Sequence, residues 1–215
     1  MTFRLFLALL LASVLLASCS RVKTTYWPNG NIKTEISSRG AKYDGPASYW
    51  YENGNLQTTC SYKNNKIEGP LKSYYRSGVL QVEQQYTNGQ LNGFVRSYDR
   101  SGKPESEANY ILGKLHGRYV EYYPSKVLKL EGQYVNNNHE GTWLYYDKEG
   151  MVIGEGQFSQ GNGVQKAFYR NGITKQLSHY KHNQKDGDEY FYKPDGSIEY
   201  INRYRNGKLT DKIKK

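Results

Sequence analysis

The sequence predicts an all-β protein: a single-layer antiparallel meander of tandem β-hairpins, elongated and twisted. Three observations predict it. A plan of about 24 residues is written eight times, most plainly in Gly69–Asn92 and again from Gly93, Gly117 and Gly141. With the leading residue of each copy counted as zero, position five is aromatic throughout: Tyr26, Trp50, Tyr74, Tyr98, Tyr122, Tyr146, Phe168 and Tyr192. Position seventeen is aromatic in the last seven copies: Tyr62, Tyr86, Tyr110, Tyr134, Phe158, Tyr180 and Tyr204. A fixed period of this size marks a quasi-linear array.

Composition agrees. The 215 residues include 22 Tyr and 22 Gly, and mean hydropathy is −0.86. Leu, Ile and Val are too few for two packed layers. The regular aromatic share argues against disorder. Tyr suits a thin structure, because its ring is buried while its hydroxyl stays wet.

Each copy holds two turn signals. The first is Glu52-Asn53-Gly54, Arg76-Ser77-Gly78 or Pro194-Asp195-Gly196. Three loop residues ending in Gly predict a type I turn with a left-handed third residue. That register sets Trp50 opposite Leu56, Tyr74 opposite Leu80 and Tyr192 opposite Ile198. The second turn, such as Thr87-Asn88-Gly89, links one hairpin to the next. The copy-leading Gly follows four residues later and signals a bulge or a close backbone approach. Turns every dozen residues argue against helix. The expectation is about sixteen strands, two per copy, extending about 75 Å. A lone hairpin is marginal, so neighbours supply the stability.

Departures from the plan are informative. Lys126 stands where seven copies have Gly, so that turn is different or strained. Pro104 replaces an aliphatic residue and donates no ladder hydrogen bond. The copy from Gly141 is two residues short, ending Ser159-Gln160-Gly161-Asn162, which predicts a kink. Ser38 replaces the first aromatic of position seventeen, making the second strand of copy one the least secure. Cys60 sits among small or polar residues at position fifteen and reads as a packed side chain.

At its start the chain carries Arg4, an apolar run Leu5–Leu16 too short to span a membrane, and then Leu16-Ala17-Ser18-Cys19. This resembles the bacterial lipobox. The resemblance implies a lipoprotein signal peptide over residues 1–18, cut before Cys19, with a diacylglycerol on the Cys19 sulfur and an acyl group on its amine. Several acyl chains anchor stably where one does not. Residues 19–20 are then the lipidated N-terminus, 21–209 the array and 210–215 a basic tail that guards the far sheet edge. Ser20, in place of Asp, implies the outer membrane in a two-membrane cell. With Cys19 acylated, Cys60 has no disulfide partner.

The stretch Tyr86-Thr87-Asn88-Gly89-Gln90-Leu91-Asn92-Gly93 resembles the MORN repeat: an aromatic, Gly three later, and Gly four after that. Tyr110, Gly113 and Gly117 repeat the spacing. The segment Tyr74 to Leu80 looks more like the bacterial MORN variant of the YwqK-like antitoxin family. That resemblance implies neutralisation of a partner toxin; no residue set in the chain encodes such a role.

Chemistry-bearing patterns are few. His116 and His139 fall in inter-copy turns, and His179 and His182 flank a strand end. They read as solvated turn residues, and no metal-ligand group converges. Nucleophile elbows, HExxH helices and phosphate loops are absent. Glu52, Asp99, Asp147 and Asp195 recur at turn positions, so repetition explains them. A hydrolase would need a carboxylate pair brought together by coiling. The expectation is a non-enzymatic envelope protein without cofactor or metal. Formal charge is +10, scattered through the turns rather than gathered in a run, so no nucleic-acid partner is expected. The aromatic rows have two meanings: scaffold, or a platform for a protein partner, a cell-wall glycan or anionic lipid.

Overall fold

The computed structural model describes residues 20–215; the leader and the Leu16–Cys19 motif lie outside the described residues. Nineteen strands, from Ser20–Tyr26 to Lys208–Lys214, form one antiparallel sheet. Registers run between neighbours in sequence throughout, from Ser20 opposite Arg39 to Tyr200 opposite Lys214. This is the expected single-layer meander. The strand count exceeds sixteen for two reasons. Two copies split a strand, into Lys66–Ile67 with Gly69–Tyr74 and into Gln184–Lys185 with Gly187–Tyr192. The residues read as a tail lie mostly in the last strand, Lys208–Lys214, so the array runs past 209. Its three lysines mark the edge, where charge discourages pairing with another chain.

The first turn recurs with constant geometry. In the copy from Gly45, Gly54 N donates to Tyr51 O at 2.9 Å and Tyr51 N to Asn55 O at 2.9 Å. Trp50, Tyr74 and Tyr192 face Leu56, Leu80 and Ile198, as expected. Lys126 makes the same turn as its glycine counterparts, with φ 70° and Lys126 N donating to Tyr123 O at 2.8 Å. The turn is therefore strained rather than different, because a Cβ at positive φ crowds its own backbone. Second turns after the first copy place two residues at positive φ, as at Asn64–Asn65 and Asn136–Asn137, which is the geometry that matches strand twist. Pro104 opens its strand opposite Tyr98, and the first residue of a strand is a place where proline is tolerated. The strand Ile32–Arg39, expected to be the weakest, is paired on both sides.

The leading Gly lies in a bulge at six junctions. Gln133 faces Glu140 but Glu131 faces Leu144, so Gly141, Thr142 and Trp143 share one opposite residue, Gly132. Gly93, at φ 126°, holds the same place; a Cβ there would sit 2.9 Å from the Gln85 side chain. The short copy lacks this bulge. Pairing runs unbroken from Ser159 opposite Asn162 to Gly154 opposite Ala167. The two missing residues are the bulge residues.

At this junction the turns along one edge are also bridged differently. Elsewhere a turn Asn binds one turn back, as Asn137 Oδ1 accepts from Leu115 N at 2.8 Å. Asn183 reaches two turns back: its Oδ1 accepts from His139 N at 2.9 Å and its Nδ2 donates to Asn137 O at 3.0 Å. Gly161, in the turn between, leaves the room; a Cβ there would lie 2.5 Å from Asn183 Oδ1.

Candidate interaction surface

Side chains alternate across a strand, so adjacent positions serve opposite faces. Positions two, fifteen and seventeen share one face, and positions three, five and fourteen the other. The two aromatic rows therefore lie on opposite sides of one layer.

The position-seventeen side is the better buried. Its centre is a ring cluster in which Trp143, 2% exposed, meets Tyr134 at 5.0 Å, His139 at 4.5 Å and Tyr119 at 6.1 Å. Phe158 adds contacts to His139 at 5.1 Å and Tyr180 at 5.5 Å. A Cβ on Gly132 would lie 2.1 Å from the Trp143 ring, and one on Gly156 would lie 2.4 Å from Phe158. Small residues at position fifteen are thus the seats of large rings, and Cys60 is buried opposite Ala47 in the same row. At the ends of the row Tyr62 meets Tyr43 at 5.5 Å, and Tyr204 lies under the Lys185 ammonium at 5.1 Å. Tyr86 donates to Gln84 Oε1 at 3.3 Å, and Tyr110 sits opposite Gly93 and Leu115.

The position-five side carries charge between its rings. Tyr146 donates to Glu131 Oε1 at 2.8 Å and Tyr122 to Glu107 Oε1 at 3.3 Å. Ion pairs run along the same side: Lys72–Glu83 at 3.1 Å, Arg96–Glu107 at 3.5 Å and Arg118–Glu131 at 3.0 Å. The Tyr146 hydroxyl and the Arg118 guanidinium hold the Glu131 carboxyl below its usual range. Tyr192 stacks on Tyr190 at 6.3 Å, and Phe168 continues the row opposite Thr174.

Two features were missed in the sequence. The first is a ladder at position six. Tyr51, Tyr75, Tyr123 and Tyr169 each donate their hydroxyl to the position-five carbonyl of the next copy, at Tyr74, Tyr98, Tyr146 and Tyr192, over 2.7–2.8 Å. Trp27 Nε1 does the same to Trp50 O at 3.0 Å. The signal was the aromatic doublet that precedes the first turn in five copies. The rung is absent at Asp99 and Asp147, whose carboxylates instead accept the amides of their own turns.

The second is a buried carboxylate. Glu189, 2% exposed, occupies position two, where the central copies have rings. Its Oε1 accepts from Ser178 Oγ at 2.7 Å, from Gln176 Nε2 at 2.6 Å and from the Lys185 ammonium. Burial pushes its carboxyl up, but Lys185 and Ser178 outweigh that and hold it low. A single Glu at a varied position gave no signal.

The histidines need correction. His116, His139 and His179 lie in strands, and only His182 occupies a turn. His139 is packed among rings, its Nδ1 is buried without a partner, and burial pushes its pKa down. No group of three or more His, Cys, Asp or Glu is placed to hold a metal among the described residues.

Among solved structures, a TcdB2–TccC3–TEV chain is 11% identical over 84% of this chain and 12% of that one, with a TM-score of 0.22. A TcdB2–TccC3–Cdc42 chain is 9% identical over 86% and 12%, also at 0.22. A porin-like protein from Bacteroides uniformis is 10% identical over 91% and 88%, again at 0.22. Likenesses of this size carry no weight for fold or function. No curated protein matches. Five segments, 43–64, 67–88, 91–111, 115–136 and 162–182, match the MORN repeat variant family. Together they take in about half of the chain and fall on the same hairpin plan, so this chain belongs to the MORN repeat variant family.

Proposed function

We propose that this repeat scaffold is a non-enzymatic, lipid-anchored protein of the cell envelope that binds a protein partner, as an immunity-type neutraliser of a toxin does. The observation that carries the reading is the single layer. Both faces present regular rows of half-buried rings and charges, and among the described residues no second layer covers either. Tyr and Arg are the side chains that protein interfaces favour. The anchor is Cys19. Replacing Cys19 by Ala abolishes acyl labelling and releases the protein from the membrane fraction; persistent labelling rejects the anchor. The partner is tested by capture from envelope extract with the native chain and with Tyr98→Ser. Saturable binding weakened by that substitution supports the scaffold reading, and the absence of any saturable partner rejects it.

A second reading is binding to cell-wall glycan or anionic lipid. It is favoured by the charge of +10 and by cations seated over rings, Lys33 on Trp27 and Lys212 on Tyr200, each at 4.5 Å. Sedimentation of the unacylated protein with peptidoglycan or acidic vesicles supports it; no retention on either removes it.

A further inference from the structure

The position-six ladder defines what is missing where it stops. At Trp27, Tyr51, Tyr75, Tyr123 and Tyr169 an aromatic side chain bridges to the next copy and donates a hydrogen bond to its position-five carbonyl. At Asp99 no ring crosses, and a carboxylate cannot donate to the Tyr122 carbonyl. Beside this junction lies an open groove of about 420 Å³, bordered by Asp99, Pro104, Glu105, Glu121, Tyr122 and Tyr123. Lys103 Nζ touches Pro124 O at the rim, at 3.2 Å, and leaves the groove open. The matching gap at Asp147 is different. Arg170 reaches over it to Asp147 at 3.9 Å and Glu149 at 3.4 Å.

The groove is lined by acceptors, of which Asp99 already takes the amides of its own turn. Asp99, Glu105, Glu121 and Tyr122 border it together with Tyr119, Tyr123 and Pro104. Tyr119 and Lys129 already donate to Glu121, at 2.8 Å and 3.0 Å. We propose that the groove at Asp99 receives a tyrosine side chain from the partner protein, whose ring and hydroxyl replace the absent rung. The Tyr122 carbonyl accepts its phenol proton, and Glu105 accepts an amide of the flanking peptide. This rests on the protein-partner reading above and names the chemistry of the contact.

The probe is the capped peptide N-acetyl-Gly-Tyr-Gly-amide, followed by amide NMR of the labelled full chain, with N-acetyl-Gly-Phe-Gly-amide as control. The tyrosine peptide shifts amides in 99–106 and 121–126 and leaves the filled junction between Tyr75 and Tyr98 unmoved. The phenylalanine peptide binds about fivefold more weakly, the value of one hydrogen bond. This comparison needs no variant. Asp99→Tyr supplies the rung from within, as four copies already do, and removes the response. Equal binding of both peptides overturns the proposal, as do no response up to the solubility limit and an undiminished response in Asp99→Tyr. A partner captured equally by native and Asp99→Tyr chains overturns the groove and leaves the scaffold reading standing. A seated tyrosine peptide with no envelope partner supports the groove and rejects the scaffold reading.

Discussion

Position two of the repeat is solved in two ways at two places. In the centre Trp143 lies over Gly132 and faces Gly156, and its neighbours are rings. Near the far end Glu189 faces Asn202, and its neighbours are Ser178, Gln176 and Lys185. Both side chains are 2% exposed. The centre gains from apolar burial, which needs only shape. The far end buries a charge, which is tolerated only while every partner stays. One layer of hairpins thus accepts either solution, provided the row opposite supplies glycine for rings or donors for the carboxylate.

Removing the ring should cost most. Trp143→Ala is expected to destabilise by about 3–5 kcal/mol, because Tyr134 and His139 lose their packing surface. Chemical denaturation measures it. A cost under about 1 kcal/mol would mean that the cluster is not the stabilising centre. Gly163→Ala follows at about 3 kcal/mol, since the new Cβ would lie 2.0 Å from Gln157 O across the junction without a bulge. Glu189→Ala is expected to cost about 2 kcal/mol, by leaving Lys185 unpaired; its partial exposure softens the penalty. Lys126→Gly should stabilise by about 1 kcal/mol, by relieving φ 70° in the first turn.

Acid should separate the two regions. His139 is held below its ordinary 6.5 by burial, so the unfolded chain takes up the proton first. Stability from the ring cluster is full above about pH 6.5 and falls as pH drops below it. Glu189 is also held below its ordinary value of 4.5, so its contribution is full above that value and is lost as pH falls through the folded value. Thermal melts from pH 8 to 3 should show an early loss that His139→Phe removes and a later one that Glu189→Gln removes. A single loss insensitive to His139→Phe would refute the assignment.

The repeat made the fold legible. The period fixed the hairpins, and Asn-Gly and Gly-ended turns fixed where they reverse. What stayed hidden lay in how one copy touches the next. That Trp143 needs Gly132, 11 residues earlier, follows only once the bulge sets the strands in place. The ladder of Tyr51 and Tyr75 was visible as doublets, yet which group each hydroxyl meets depends on the stacking of turns 23 residues apart. The short copy was visible as a length, but the residues it lost could be named as the bulge only from the pairing. His139 shows the limit most plainly: its place beside a turn suggested solvent, while Asn183 and Trp143 enclose it.

The account rests on one open sheet, bulged at each full junction and unbulged at the short one. Cross-strand contacts by nuclear Overhauser spectroscopy test this most directly. The prediction is Glu131 opposite Leu144, Glu155 opposite Lys166, and no contact between Ser20–Tyr26 and Lys208–Lys214. Glu155 opposite Phe168, or contacts joining the two terminal strands, would contradict it.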